Sequence, residues 1–257
     1  MRMKSLILNT KNSPVLVVAI FLTVWFFISF LQIFPEYAFP SVQSVYNSLL
    51  NELLSLRLVK DLVASLWRVT IGFTLSAILA IPIGLYLGRN NKIRDALIPI
   101  LNFFRFLSPL AWIPFAILWF HIGDKPAIFL IFMSTFFPLL LSVISSISTV
   151  PKIFFKVAKE YKYSNTELLQ QILFPAILPQ LLSSLRICFG ISWVVIVAAE
   201  MVGCQDGLGY GIWDARNSLR LDTAVCYMIT IGLTGLAIDS LFLRITNIKS
   251  IKWGYGK

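Results

Sequence analysis

The sequence predicts an all-α membrane protein with six spanning helices, and three observations carry that reading. Of 257 residues, 58% are hydrophobic and only 13% charged, with a mean hydropathy of +0.81, whereas a soluble domain carries about 25% charged residues. Six apolar stretches each approach or exceed the roughly 20 residues that cross a ~30 Å hydrocarbon core. The cations are divided unequally between the segments that join them. A water-soluble enzyme is excluded by the scarcity of charge, and disorder by the 14% aromatic content.

The first span, 14–34, is charge-free and follows a basic leader (Arg2, Lys4, Lys11). It is too long for a secretory signal and lacks a small-residue cleavage site after it, so it is expected to remain as a helix. The second span covers 69–88. The third, 96–120, contains Arg105, and the fourth, 126–150, is charge-free. The fifth, 175–202, contains Arg186 and ends beside Glu200, and the sixth, 223–245, contains Asp239 and Arg244. With the amino terminus inside, the inner segments hold Arg2, Lys4, Lys11, Arg89, Lys92, Arg94, Lys152, Lys156, Lys159, Lys162, Arg244, Lys249, Lys252 and Lys257. The outer segments hold only Arg57, Lys60, Lys125, Arg216 and Arg220, among more acids than cations. The positive-inside rule then places both termini in the cytoplasm. The formal charge of +10 is therefore a membrane address, and nucleic acid is not an expected partner.

Two connections exceed simple turns. The inner segment 151–174 is amphipathic and basic and predicts two short helices, 152–161 and 165–173, broken near 162–164. Ser164 followed by Glu167 reads as a capping box, in which each side chain satisfies an orphan backbone N–H of the other's residue. Pro175 is expected to stop the second helix and restart the chain into the fifth span. The outer segment 203–222 predicts a surface helix over 212–221 behind Gly207, Gly209 and Gly211.

Recognisable chemistry is scarce. There is no phosphate-binding G-x-x-x-x-G-K-[ST] loop, no pair of carboxylates within one span, and one histidine, His121, read as an interfacial side chain. Cys188, Cys204 and Cys226 form neither a metal-ligand pattern nor a disulfide framework and read as buried small hydrophobes. No catalytic, cofactor or metal residues are expected. Ionisable groups inside a span are costly and usually face the protein interior. Arg105, near mid-membrane, and Arg186, in the inner half, could therefore each attract an anion in a water-filled path or serve structure instead. Glu200 is expected to pair with an arginine or gate the outer mouth, Arg68 to anchor at the interface, and Asp239 and Arg244 to be structural. Gly72, Gly84, Gly190, Gly232 and Gly235 read as helix-packing surfaces.

Segment 156–179, followed by 185–203, resembles the cytoplasmic loop and fifth helix of the inner-membrane subunits of binding-protein-dependent ABC importers. The family pattern is Glu-Ala-Ala, three residues, Gly, nine residues, then Ile-x-Leu-Pro. Here Lys156-Val157-Ala158 stands for the first part, Lys162 for the glycine, and Ile172-Leu173-Phe174-Pro175 closes it. Ala64-Ser65-Leu66-Trp67-Arg68-Val69, Leu110-Ala111-Trp112-Ile113-Pro114 and Ala199-Glu200-Met201 are similar to segments of the nitrate, sulfonate, taurine and bicarbonate permeases, and so are Gly207-Leu208-Gly209-Tyr210 and Trp213-Asp214-Ala215-Arg216-Asn217. Family members also carry an arginine at the place of Arg105, followed by a proline-rich stretch of which only Pro109 is kept here.

The resemblance implies a type I ABC importer transmembrane domain over 61–245, an extra helix and outer loop over 1–60, and a cytoplasmic tail over 246–257. It implies docking of an ATP-binding subunit at 151–174, an extracytoplasmic solute-binding protein above, a second permease subunit, expected to be an identical copy, and a place in the inner membrane. In that setting Ala158 gives close approach, Tyr161 and Leu168 fill pockets on the ATPase, and Lys156, Lys159, Glu160 and Lys162 make rim contacts. Lys162 is expected to resist the tight positive-φ turn that glycine allows. The solute is expected to be a small anion, and the chain itself no enzyme. The competing expectations are a secondary transporter or channel independent of ATPases, which needs coupling carboxylates or inverted repeats, and an intramembrane enzyme, which needs a catalytic constellation.

Overall fold

A computed structural model describes residues 13–31, 35 and 38–246. The basic leader, Glu36, residues 32–34 of the first span, and the tail with Lys249, Lys252 and Lys257 lie outside them. The described residues are helical, with no strand among them: α1 Ser13–Phe30, α2 Val42–Leu54, α3 Arg57–Arg89, α4 Asn91–Phe106, α5 Ile113–Phe120, α6 Asp124–Ser148, α7 Lys152–Glu160, α8 Asn165–Glu167, α9 Phe174–Gly203, α10 Leu208–Asn217 and α11 Leu221–Thr246. A π-helix, Leu168–Leu173, joins α8 to α9.

Among the described residues, four helical stretches are long and apolar enough to cross a bilayer: α3, α6, the continuous run Asn165–Gly203, and α11. The third expected span is broken. α4 and the segment Pro109–Phe120 meet at 83°, because Leu107 and Ser108 are extended and Pro109 restarts the chain as a 3-10 turn. The backbone leaves the helix two residues after Arg105, so that residue ends a helix instead of lying inside one. The first expected span is represented by the 18 residues of α1.

The scaffold is the pair α3 and α6, which run parallel. On α3, Gly72, Ser76, Ala80, Gly84 and Gly88 recur every fourth residue, which aligns them on one face, and all five are buried. A Cβ added at Gly72, Gly84 or Gly88 would lie 2.8, 2.7 and 2.5 Å from Ile131, Val143 and Ile147 respectively. Between them Thr135 donates to Ser76 at 2.6 Å across 59 residues of chain, and Ser76 donates to the Phe132 carbonyl at 2.9 Å. Within a membrane there is no hydrophobic drive between helices, so close packing of small residues with a few hydrogen bonds holds them together. Gly72 and Gly84 thus pack as the sequence implies. A Cβ added at Gly235 would lie 3.1 Å from Trp193, but one added at Gly190 or Gly232 would meet nothing within 4 Å among the described residues. These last two lie on an open face.

Three apolar clusters stack along the bundle. The one at the α10 end gathers Val69, Ile131, Trp193, Ile196 and Tyr227, the middle one Ala80, Leu140, Val143 and Cys188, and the one at the α7 end, the inner cluster of the expected topology, Ile147, Val150, Leu173 and Ile177. The three cysteines are buried and free, as small apolar side chains.

Candidate functional site

The segment between α6 and α9 forms a short helix, α7, closed by a tight reversal into α8. Pro151 starts α7, and α7 ends in a tight reversal: Tyr161 N–H donates to Val157 O at 3.0 Å, Lys162 N–H to Lys159 O at 3.1 Å and Tyr163 N–H to Ala158 O at 2.9 Å. This satisfies the last carbonyls of α7 through a left-handed residue. That residue is Lys162, with φ of 53°. The expectation that Lys162 would displace or loosen the turn is therefore corrected. The three backbone bonds and the cap that follows hold a conformation costing a non-glycine residue about 1 kcal/mol.

The cap is the expected capping box. Glu167 N–H donates to Ser164 Oγ at 3.2 Å, and Ser164 N–H donates to Glu167 Oε2 at 2.7 Å. Pro175 does not interrupt the chain. Helical structure runs unbroken from Asn165 to Gly203, with Pro175 in the first turn of α9 just after the π-helical turn. The wider turn removes the usual clash of a proline ring with the carbonyl four residues earlier. Residues 165–173 are consequently a continuous extension of α9, and α7 joins that run through the reversal at 161–164.

The surface this strut presents differs from the one expected. Ala158 is 4% exposed, and Leu168 packs on the inner cluster with Phe155. Ala158 is thus enclosed and Leu168 half-buried. The outward face of α7 is instead Ile153, Phe154 and Val157, continued by Tyr161, which is 76% exposed. Lys156, Lys159, Glu160 and Lys162 surround that ridge as exposed side chains. The spacing 153, 154, 157, 161 was the available signal, since it is one side of a helix whose other side, Phe155 and Ala158, is the buried one.

The membrane charges fall into three settings. Arg105 is exposed at the end of α4, stacked over the Phe106 ring at 4.8 Å, and no carboxylate partners it among the described residues. Arg186 donates to both carboxylate oxygens of Asp239, at 2.6 and 2.7 Å, joining α9 to α11. Their side chains remain 34% and 46% exposed, on the same open face as Gly190, Ile187 and Val194. Arg68 and Glu200 form the third setting.

Arg68 is not an interfacial anchor. It is 3% exposed and gathers three acids: Nε donates to Asp124 at 2.7 Å, Nη1 to Glu200 at 2.8 Å and to the Asp206 carbonyl at 2.9 Å, and Nη2 to the Asp206 carboxylate. Glu200 is wholly buried and also accepts from Ser65 Oγ and Gly209 N–H, each at 2.9 Å. Enclosed this way, Glu200 braces the fold and does not line an open path through the single chain. Asp61 accepts from Gly207 N–H at 3.0 Å and from Tyr227 at 2.7 Å, while Ser65 accepts from Leu208 N–H at 2.9 Å. Asp61, Ser65 and Glu200 thereby satisfy the orphan N–H groups at the start of α10 from other helices.

α10 begins four residues before the expected surface helix and is not peripheral. Leu208, Gly209, Gly211 and Ala215 are buried between α3, α9 and α11. A side chain at Gly207 would overlap the Glu200 carboxylate, one at Gly209 the Val197 carbonyl, and one at Gly211 the Tyr227 ring. Gly207 also takes φ of 106°. These glycines are spacers that let α10 pack closely against its neighbours.

Comparison with known proteins agrees with this architecture. Residues 80–248 match the family described as binding-protein-dependent transport system inner membrane component. The chain is 34% identical over 205 residues to a putative ABC transporter permease protein of Methanocaldococcus jannaschii, covering 78% of this chain and 77% of that one. It is 37% identical over 176 residues to the nitrate import permease protein NrtB of Synechocystis, covering 68% of this chain and 64% of that one. It is 29% identical over 240 residues to the taurine transport system permease protein TauC of Escherichia coli, covering 91% and 87%. The chain thus aligns with slightly less than two thirds of the nitrate permease. In fold it is similar to a chain of the inward-facing MetNI methionine ABC transporter, with a TM-score of 0.61 at 18% identity over 76% of this chain and 99% of that one. A membrane-spanning helical bundle carrying a rigid amphipathic helix at one end belongs, on this match, to the binding-protein-dependent transport system inner membrane components, the permease family of ABC transporters.

Proposed function

We propose that the chain is the permease subunit through which an ABC importer moves a small anion inward, with ATP hydrolysis carried out by a separate subunit docked on α7. The observation that carries this reading is the ridge Ile153, Phe154, Val157 and Tyr161, apolar and outward-facing on a helix whose other face carries the buried Ala158, and Phe155 packed on the Ile147–Leu173 cluster. An ATPase cleft that closes on such a ridge would pull on α8 through the backbone-bonded reversal at 161–164, and on α9 with it, because the helix is unbroken from Asn165 to Gly203. The basic residues around the ridge and the positive-inside rule support a cytoplasmic position for this end, and with it for both termini.

Two copies of the chain would enclose the path, with the open faces of α9 and α11 turned toward it. A solvent-accessible ion pair such as Arg186–Asp239 is costly against lipid tails, which favours a face covered by a second subunit or by water. Arg105 is the better candidate to meet the anion, because Arg186 is already neutralised by Asp239. The names of the nitrate, bicarbonate and taurine permeases among its relatives favour a solute of that class, delivered by an extracytoplasmic binding protein. The test is uptake in vesicles holding the full transporter. Arg105→Gln should lower anion uptake at least tenfold while leaving assembly with the ATPase intact; unchanged uptake refutes the assignment of Arg105.

A further inference from the structure

The cytoplasmic end of α3 carries a feature used neither by the docking ridge nor by the solute path. An open cavity of about 670 Å³ lies between the last turns of α3, the α3–α4 turn and the first residues of α8. Its lining changes character along its length. Pro82, Leu85 and Tyr86 form one wall, and Arg89, Lys92 and Asn165 form the other end. Pro82 and Arg89 are seven residues apart, which in a helix is about 10 Å along the axis. The apolar wall therefore runs into the membrane from a rim at the cytoplasmic surface.

The rim is positive and not internally neutralised. Among the described residues no carboxylate lines the cavity, and the neighbouring Asp95 is held by Arg94 at 2.8 Å. Arg89 donates to the side-chain oxygen of Asn165 at 2.7 Å, a contact that fixes the guanidinium without cancelling its charge. The 16-residue α4 begins at the same place, with Asn91 and Lys92 on the cavity, so the positive end of its dipole adds to the field.

We propose that this cavity binds an anionic phospholipid of the cytoplasmic leaflet, with the phosphate between Arg89 and Lys92 and an acyl chain along Pro82, Leu85 and Tyr86. A free anion uses only the rim. The apolar wall and the exposed Tyr86, an aromatic of the kind that settles at headgroup level, fit a lipid. Basic pockets at this face of a membrane protein suit acidic headgroups. The inference rests on the orientation argued above, and its readout is independent of uptake and of the ATPase. Asn165 and Leu169, which open the run into α9, also line the cavity, so the bound lipid braces the base of the strut.

The full-length chain in nanodiscs of phosphatidylcholine with a minor share of phosphatidylglycerol provides the test, with retained lipid counted by native mass spectrometry. The double variant Arg89→Gln/Lys92→Gln should reduce phosphatidylglycerol retention roughly thirtyfold, at about one surface-lipid increment per cation. Lys92→Glu alone should act in the same direction, at an exposed position that leaves the Arg89–Asn165 bond in place. The charge-matched control Lys60→Gln/Arg216→Gln, at the opposite end of the bundle, should stay within twofold of the parent. Retention unchanged in the double variant overturns the proposal. So does an equal loss in the control, which would mean diffuse charge or the reverse orientation. Displacement of the lipid by millimolar inorganic phosphate would assign the site to a free anion instead.

Discussion

Replacing Arg68 by methionine, which keeps most of the side-chain volume, removes the one cation among Glu200, Asp124 and Asp206. Asp124 and Asp206 are 56% and 38% exposed and can turn to water. Glu200 cannot, being wholly buried. Orphaning one member of a buried pair costs about 3–5 kcal/mol. Glu200 keeps its bonds from Ser65 and Gly209, so the lower half of that range applies. For a chain of this size, each kcal/mol lowers the melting midpoint by about 2–4 °C, and the expected fall is on the order of 10 °C. The assay is thermal unfolding of the detergent-solubilised protein, followed by size-exclusion fluorescence. The double variant Arg68→Met/Glu200→Gln should recover more than half of the loss, because a neutral amide no longer needs a counter-ion. A midpoint for Arg68→Met within 1–2 °C of the parent, a shift worth at most about 1 kcal/mol on the same conversion, would refute the claim that this cluster holds α3, α9 and α10 together.

Gly209→Ala should abolish folded expression, since its methyl meets the Val197 backbone, whereas Gly190→Ala, with nothing within 4 Å, should leave the melting midpoint unchanged. Burial pushes the Cys204 thiol up to about 12, so between pH 7 and 9 it stays protonated and should resist maleimide in the folded protein but react fully after denaturation. Lys162→Gly should retain uptake, being relieved of its left-handed strain, while Lys162→Val should lose most of it, because a β-branched residue tolerates φ of 53° poorly.

Much of the fold is legible in hydropathy and spacing. Four of the six expected spans, the helix break near 162–164 and the capping box of Ser164 and Glu167 all depend on residues close in sequence. What was not legible depends on distant partners. Arg68 reads as an interfacial anchor until Glu200, 132 residues away, and Asp206, 138 away, are brought to it. The face formed by Asp61, Ser65, Arg68 and Gly72 at helical spacing hints at a polar seam on α3, though not at what it meets. Pro175 and Lys162 fail local rules for one reason: neighbouring structure, a π-helical turn in one case and a backbone-bonded reversal in the other, holds them where propensity alone disfavours it. The break after Arg105 escaped a reading based on hydropathy, because an apolar stretch keeps its composition whether the chain is straight or bent by 83°.

The central claim is that α7 transmits ATPase closure through its apolar ridge. The most direct measurement is ATP hydrolysis by the reconstituted transporter, with and without solute-loaded binding protein, in Phe154→Asp and Val157→Asp permeases. The account predicts that the isolated ATPase is unaffected, that the variants fold and reach the membrane, and that stimulation by the binding protein falls at least tenfold with loss of ATPase from the purified complex. Full stimulation with a normally assembled complex would contradict it.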